Sequence, residues 1–441
     1  MRIGVGTGFA GDRIEPAEIL LEKADLDYLV LECLAERTIA LAQKRKKENA
    51  KLGYDVLLEK RMKSLLPKLK GKKTRIITNM GAANPVAGAE KIVEIAEELN
   101  INIKVAVVTG DDVLSKISLE ERVWESGKLI SDYGDIISAN AYIGSKALLP
   151  ALQTDAQVII TGRVADPSLF LAPMIHEFGW AADNIDLLAK GTVIGHLLEC
   201  AGQLTGGYFA DPGKKDVKDM ANLGFPFADI DAEGTAIFSK VEGTGGRISI
   251  ETMKEQLLYE VLNPTAYITP DVIADFTKVR FEEIAPGKVK VDSVTGVGRP
   301  EKLKVSIGYD AGYIGEGEIS YAGENAAARA RLAGDIISER IAQLYKEFRV
   351  DLIGINSAHR KEFRETQPYE VRLRVAGKAK DRSLAGLIGE EVEALYTNGP
   401  AGGGGARKNI TEVVGIVSTF INENDIEINT VIKEYSINET L

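Results

Sequence analysis

Three stretches early in the chain share one shape: an apolar run, a polar loop, and a proline placed to open a helix. They are residues 8–16 (GFAGDRIEP), 79–85 (NMGAANP) and 162–167 (GRVADP). Asn84 and Asp166 directly precede their prolines, where an amide or carboxylate caps the free amides of a first helical turn. Capping does not call for Arg13, Asn79 or Arg163. Arginine and amide side chains gathered after successive strands suit the binding of an anionic small molecule. Glu32 ends a second apolar run (YLVLE). A carboxylate there is costly unless paired or functional. It reads as a general base, a metal ligand, or half of an ion pair with Arg13 or Arg163.

Asp111 and Asp112, in TGDD, could bind a hydroxyl or a divalent cation, or could simply favour a helix N-terminus. His196, Glu199 and Cys200 (HLLEC) share one helical face by their spacing. The chain has three histidines. His196 is the best placed for proton transfer, its alternative being a packed, hydrogen-bonded core residue. Residues 398–408 (NGPAGGGGARK) place Gly403, Gly404 and Arg407 where backbone could approach an anion closely, or in a flexible connection. The candidate catalytic residues are therefore Glu32, Asp166 and His196. Arg13, Asn79, Asn84, Arg163, Gly403, Gly404 and Arg407 are the anion-binding set, and Asp111 and Asp112 the metal candidates. There is no P-loop, GxSxG elbow or HExxH motif. Gly4, Gly6 and Gly8 form GxGxG rather than GxGxxG, which argues against a nicotinamide.

The elements that must position these groups alternate up to about residue 210. Apolar runs at 3–5, 28–31, 75–78, 105–108, 136–137 and 158–160 are separated by helical periods. That pattern predicts an α/β fold, a mostly parallel sheet with helices on both faces. An open doubly wound sheet is the first reading and a closed barrel the second. Runs at 236–238, 247–250, 288–291 and 303–307 predict a smaller α+β domain with antiparallel strands, with helices at 253–262 and 326–348. The expected division is 1–210, 211–348, and a C-terminal segment 349–441 packed on the others. The site then lies at the C-terminal edge of the parallel strands, roofed by the second domain.

Composition narrows the classes further. The 441 residues carry a formal charge of −11 and two cysteines, against general nucleic-acid binding and against a disulfide scaffold. Residues 37–75 hold 14 Lys/Arg and 3 Asp/Glu, a local +11 that leaves −22 for the rest. This is either a solvated helix face or an electropositive rim for an anionic ligand. No apolar run is long enough for a membrane span. The opening MRIGVGTGF reads as a strand rather than a signal peptide, so a cytoplasmic location is expected. A homo-oligomer is the default assembly.

GxGFxGDRIxPA, DYLVLECLAERTIALAQ, TNMGAANP, VVTGDDV, ITGRVADPSLFLAPMIHEFGW, GHLLECAGQLTGGYFADPG, TGGRIS, IGEGEISYAG and NGPAGGGGARK occur in this order. Together they resemble the acyclic terpene utilisation AtuA family from residue 1 to about 420. The resemblance implies a part in bacterial catabolism of citronellol- and geraniol-type terpenes, where intermediates are branched acyl-CoA thioesters. It carries over no catalytic residues. The resemblance implies that longer members carry an additional C-terminal module, for which no counterpart is expected in this sequence. With the residue reading, the resemblance leads to a redox-neutral enzyme (lyase, hydratase or isomerase) acting on a branched acyl-CoA or small carboxylic acid. Its divalent-metal requirement is open. The alternative is a non-catalytic acyl-CoA or metabolite-binding subunit that needs a partner protein.

Overall fold

The computed structural model describes residues 1–362 and 367–437. They form two compact units, Met1–Gly308 together with the segment from Ile416, and Tyr309–Gly415. In the first unit, β1 (Arg2–Thr7), β2 (Tyr28–Leu31), β3 (Arg75–Thr78), β4 (Ile103–Thr109) and β6 (Val158–Thr161) are parallel, in the order β1-β2-β3-β6-β4. Ile3, Val5, Leu29, Val30, Ile76, Ile77, Val107 and Ile159 are fully buried, as near-continuous apolar strands covered on both faces must be. The covering helices form two groups that pack among themselves. One is α1 (Glu15–Lys23), α3 (Leu58–Leu69) and α4 (Pro85–Glu98); the other is α5 (Leu149–Leu152), α6 (Ser168–Phe178) and α7 (Ile185–Glu199). A further helix, α2 (Glu36–Glu48), packs against β5 (Ile136–Ala141).

The sheet does not stay parallel. β7 (Pro226–Ile230) pairs antiparallel with β1, and β8 (Ala236–Lys240), β12 (Lys288–Asp292) and β11 (Arg280–Ala285) continue outward. At the far edge β18 (Asn429–Tyr435) runs antiparallel to β4. Among the described residues this ten-stranded sheet has four parallel and five antiparallel pairings. The fold is thus mixed α/β with an open sheet, neither parallel-dominated nor a closed barrel. The runs past residue 210 are antiparallel strands as expected, but they extend the first sheet. β7 and β8 form a hairpin closed by Asp231 and Gly234, and β7 adds to the free edge of β1. Hydrophobic alternation reports a strand but not which edge it joins.

Three other expectations change. β5 leaves the parallel block and pairs with β14 (Leu303–Ala322). Residues 247–250 are not a strand: Ser249 caps α8 (Ile250–Leu258) in a reciprocal box with Thr252. The helix placed at 326–348 ends earlier, as α9 (Ala326–Ile341). A small sheet of β9 (Tyr267–Ile268), β10 (Ile273–Asp275) and β13 (Thr295–Gly298) completes the first unit. Among the described residues no helix is long and apolar enough to cross a membrane.

The second unit is a sheet of β15 (Glu347–Ile353), β16 (Glu370–Ala379), β14 and β17 (Gly404–Ile421), with α9 and α10 (Arg382–Asn398) packed on it. Alternation is clean. Ile319, Tyr321, Leu373 and Val375 are buried with Ala330, Ala333, Ile337, Ile388 and Val392 of the helices. Glu316, Glu318, Arg372 and Arg374 occupy the other face.

Candidate functional site

A cavity of about 890 Å³ opens at the C-terminal ends of β1, β2 and β6, the edge at which α/β sheets bind ligands. Its floor is built from the loops after those strands. Asp12 turns the first loop by accepting from the amides of Gly8 (2.6 Å) and Phe9 (3.2 Å). Gly8 lies so close to the end of α7 that a Cβ there would come within 2.5 Å of the Cys200 carbonyl carbon. The tight approach brings Glu199 and Cys200 to the cavity wall. Arg61, fully buried, donates to Cys33 Sγ (3.0 Å) and to the carbonyls of Ala10 and Asp12, tying the first two loops together. Phe9, Tyr208 and Met220, all exposed, stand among the lining residues.

Glu32 is 7% exposed. Its Oε1 accepts from Asn79 Nδ2 (3.0 Å) and the Leu34 amide (2.7 Å). Burial above all, then the neighbouring Asp166 charge, pushes its pKa up to about 8, against the hydrogen bonds and Arg163. Arg163 is buried and stacks its guanidinium 4.1 Å from the centre of the Tyr142 ring. Its Nη1 donates to Leu34 O and lies 3.1 Å from Asp166 Oδ1. Its Nε is buried and has no hydrogen-bond partner among the described residues. The Asp166 carboxyl is raised, chiefly by burial, with Arg163 opposing. Tyr142 donates to Glu36, and Lys304 Nζ lies 3.3 Å from the same carboxylate. Burial works against the Glu36 charge, but Arg163, Tyr142 and Lys304 bring its pKa down to about 2.

The expected site residues thus divide. Glu32, Asp166, Arg163 and Arg13 line the cavity, and Asn79 lies behind Glu32 and orients it. The Glu32 partner is Asn79, while the Arg163 ion pair goes to Asp166. Asp166 is not a helix cap: α6 starts at Ser168 without a side-chain cap. Asn84 is one, accepting from the Ala87 amide and donating to the carbonyls of Ala50 and Leu52. His196 is buried behind the wall, hydrogen-bonded to Glu199 (2.8 Å). Gly403, Gly404 and Arg407 belong to the second unit, at the start of β17.

Asp111 takes the amide of Arg163 (2.8 Å) and Asn140 Nδ2 (2.9 Å), and Asp112 the amide of Leu114 (3.2 Å). Both carboxylates hold loops in place. Among the described residues no group of three or more His, Cys, Asp or Glu is arranged to hold a metal ion. The basic stretch also has internal tasks. Arg45 and Lys46 donate to the carbonyls of Tyr54 and Ala83, Arg75 to those of residues 151, 152 and 156, and Lys63 and Lys68 pair with Glu59 and Glu22.

Sequence reasoning passed over Tyr142, Glu36 and Arg61 as site residues. Tyr142 follows β5, which sequence placed in the parallel block. Arg61 was hidden in a charge run. Glu199 was visible three residues after His196, and that spacing was its signal.

Comparison with known proteins agrees with the resemblance noted in the motifs. No curated protein and no solved structure matches the chain. The family described as acyclic terpene utilisation family protein AtuA matches residues 1–432, and the chain belongs to that family.

Proposed function

We propose that this member of the acyclic terpene utilisation family is a redox-neutral acid–base enzyme, a lyase, hydratase or isomerase. Its substrate would be a branched acyl-CoA or a small carboxylic acid. The observation that carries the reading is Glu32: a buried carboxyl at a strand end, oriented by Asn79 and the Leu34 amide, beside Asp166 and one fixed guanidinium. A carboxyl raised to about 8 is protonated at neutral pH and can give a proton to a developing oxyanion or leaving hydroxyl. Arg163 is locked on one side by Leu34 O, Asp166 and the Tyr142 ring, while its unpartnered Nε can serve a carbonyl or carboxylate. Arg13 stands at the mouth as a second anion contact. The volume falls within the ~300–1,000 Å³ usual for small-molecule sites.

The test follows label rather than an assumed reaction. The purified chain is incubated in D₂O with branched, unsaturated and saturated acyl-CoAs and with free hydroxy- and dicarboxylic acids, with and without Mg²⁺ or Mn²⁺. Mass spectrometry then reads deuterium uptake and gain or loss of water. We expect one probe class to react, and Glu32→Gln to slow it by ~10²-fold or more, the range for a positioned acid or base. No reaction with any class, or full activity in Glu32→Gln, overturns the reading. Binding without exchange would favour a metabolite-binding subunit that needs a partner.

A further inference from the structure

Behind the cavity wall lies a pair that the reading above does not use. His196 is buried between Glu199, the C-terminal carbonyls of α8, and the rings of Tyr267 and Phe276, whose centres lie 5.0 and 5.3 Å from its own. Its Nε2 is 3.2 Å from the Leu257 carbonyl oxygen. That oxygen, at a helix end, can only accept, so Nε2 must carry a proton. The other nitrogen, Nδ1, lies 2.8 Å from Glu199 Oε1. Two oxygens or nitrogens at that distance need one proton between them. The pair is therefore either neutral, with Glu199 O–H donating to Nδ1, or ionic, with imidazolium N–H donating to the carboxylate. Both forms hold the same number of protons and differ only in where one of them sits.

Glu199 is also the member that lines the cavity. Its second oxygen, Oε2, is buried and has no hydrogen-bond partner among the described residues. A buried carboxyl oxygen without a partner is an unmet cost, and a ligand in the cavity is what could meet it. The surroundings disfavour a charge on Glu199. Asp166 and Glu260 face Glu199 with negative charge, and burial raises its pKa to about 7 while His196 opposes the rise. Cys200 and Gln256 adjoin it, Gln256 donating to the His196 backbone carbonyl (3.1 Å). The aromatic side of the imidazole is closed by Tyr267 and Phe276. Helix α7 is seated hard against the Asp166 loop: a Cβ at Gly195 would lie 2.6 Å from the Pro167 carbonyl oxygen.

We propose that Glu199 and His196 form a two-residue proton relay into the cavity, with Glu199 as the group that meets substrate and His196 as its positioning partner. This deepens the acid–base reading and rests on it. The step balances. A substrate C–H or O–H proton passes to Glu199 Oε2 as the proton on Oε1 passes to His196 Nδ1, leaving neutral Glu199, an imidazolium, and a substrate enolate or alkoxide. Return of both protons regenerates the starting pair. Glu199 thus acts as a base although it begins protonated, and it ends neutral: the positive charge forms on the buried ring and the negative charge on the substrate.

The first arm of the test needs no substrate. ¹⁵N correlation spectra of the three imidazoles assign the His196 tautomer and its response to pH. We expect a protonated Nε2 at every pH, and an Nδ1 signal between those of a free acceptor and a full N–H. In Glu199→Gln, the side-chain amide can donate to Nδ1 but cannot share a proton with it, and that signal should move to that of a plain acceptor. A bare Nε2, or the same Nδ1 signal in wild type and Glu199→Gln, overturns the relay. The second arm uses the D₂O assay with the acyl-CoA and acid probes. Glu199→Gln should lose ~10²-fold or more in rate. His196→Asn should lower kcat, leave KM unchanged and shift the pH profile. Full activity in Glu199→Gln overturns the relay while the Glu32 reading stands. If no probe reacts in wild type, the acid–base reading fails, and the relay with it as a catalytic device. The spectra then decide whether the shared proton exists at all.

Discussion

At the ends of the parallel strands, Glu32, Glu36 and Asp166 gather around one buried guanidinium, Arg163, and Glu199 lines the same cavity. On the outer face of the second unit's sheet, Arg374 meets Asp351 (3.0 Å) and Glu316, Arg349 meets Asp351 as well, and Arg372 lies 2.6 Å from Glu318. The two clusters have similar residue types and opposite balance. On the sheet face three acids meet three arginines: Arg374 serves both Glu316 and Asp351, Arg349 reaches Asp351 along the same strand, and Arg372 serves Glu318. Asp351 is buried and the other positions are partly exposed, and the charges are balanced one for one. In the cavity the acids outnumber the arginines, and three of them are pushed toward the protonated form by burial and by neighbouring carboxylates. The first arrangement is what stability alone asks of charged residues on a sheet. The second costs stability and is kept where carboxyls must gain or lose protons near neutral pH.

The strongest way to break that contrast is at Arg163. In Arg163→Met, Asp166 and Glu36 lose their shared cation, and the Leu34 carbonyl and Tyr142 ring lose their partner. Removing one member of a buried charge cluster typically costs ~3–5 kcal/mol, read from urea unfolding of the first unit. Adding Asp166→Asn should recover a substantial part of the loss, because the like charges were its source. An Arg163→Met variant within ~1 kcal/mol of wild type would mean that the carboxyls were never charged around it.

Next in size is the pH dependence of Glu32. Its folded pKa, about 8, lies above its ordinary 4.5. The stability it contributes is therefore complete below pH 4.5 and is lost as pH rises through 8. Between pH 6 and 9 that loss is ~3 kcal/mol by linkage. Glu36, held down at about 2, has the opposite sign and loses its contribution only in strong acid, so it is silent in this window. Glu199 titrates in the same range, so the informative quantity is the difference between wild type and Glu32→Gln. The variant mimics the protonated side chain, and its melting temperature should fall less between pH 6 and 9. Equal falls would place the Glu32 pKa outside the window.

Much of this was legible in the sequence, for reasons that can be traced to particular residues. The YLVL, RIIT and VIIT runs gave the central strands because buried parallel strands must be apolar throughout, and Asn84-Pro85 gave a helix start because its cap chemistry is local. Glu32, Arg163 and Asp166 stood out as polar residues that caps and strands do not need. What stayed hidden depends on long-range pairing. Nothing local to Pro226–Ile230 says that it adds to β1, and nothing local to Tyr142 says that it lies under Arg163. Asp111 shows the same limit. Nothing local to the two adjacent acids after β4 says that the fold brings the Arg163 amide and Asn140 to one of them.

The smallest effect tests the other half of the contrast. Arg374 is about a third exposed and bridges Asp351 and Glu316, and Asp351 keeps Arg349 if Arg374 is removed. Burial opposes the Arg374 charge, and the two acids more than compensate, holding its pKa above the ordinary value. Partly exposed pairs of this kind are worth ~0.2–1 kcal/mol each, so Arg374→Met should cost about 1 kcal/mol and leave no unpaired acid except Glu316. Global unfolding of a two-unit chain would blur so small a change. Amide hydrogen exchange in peptides from β14 and β16 reads the second unit directly. We expect protection there to fall about fivefold, with no change in peptides from β1, β2 or β6. A loss approaching that of Arg163→Met would mean that the sheet face is as dependent on its cations as the cavity is. The distinction between neutralised and uncompensated clusters would then no longer separate structure from chemistry in this fold.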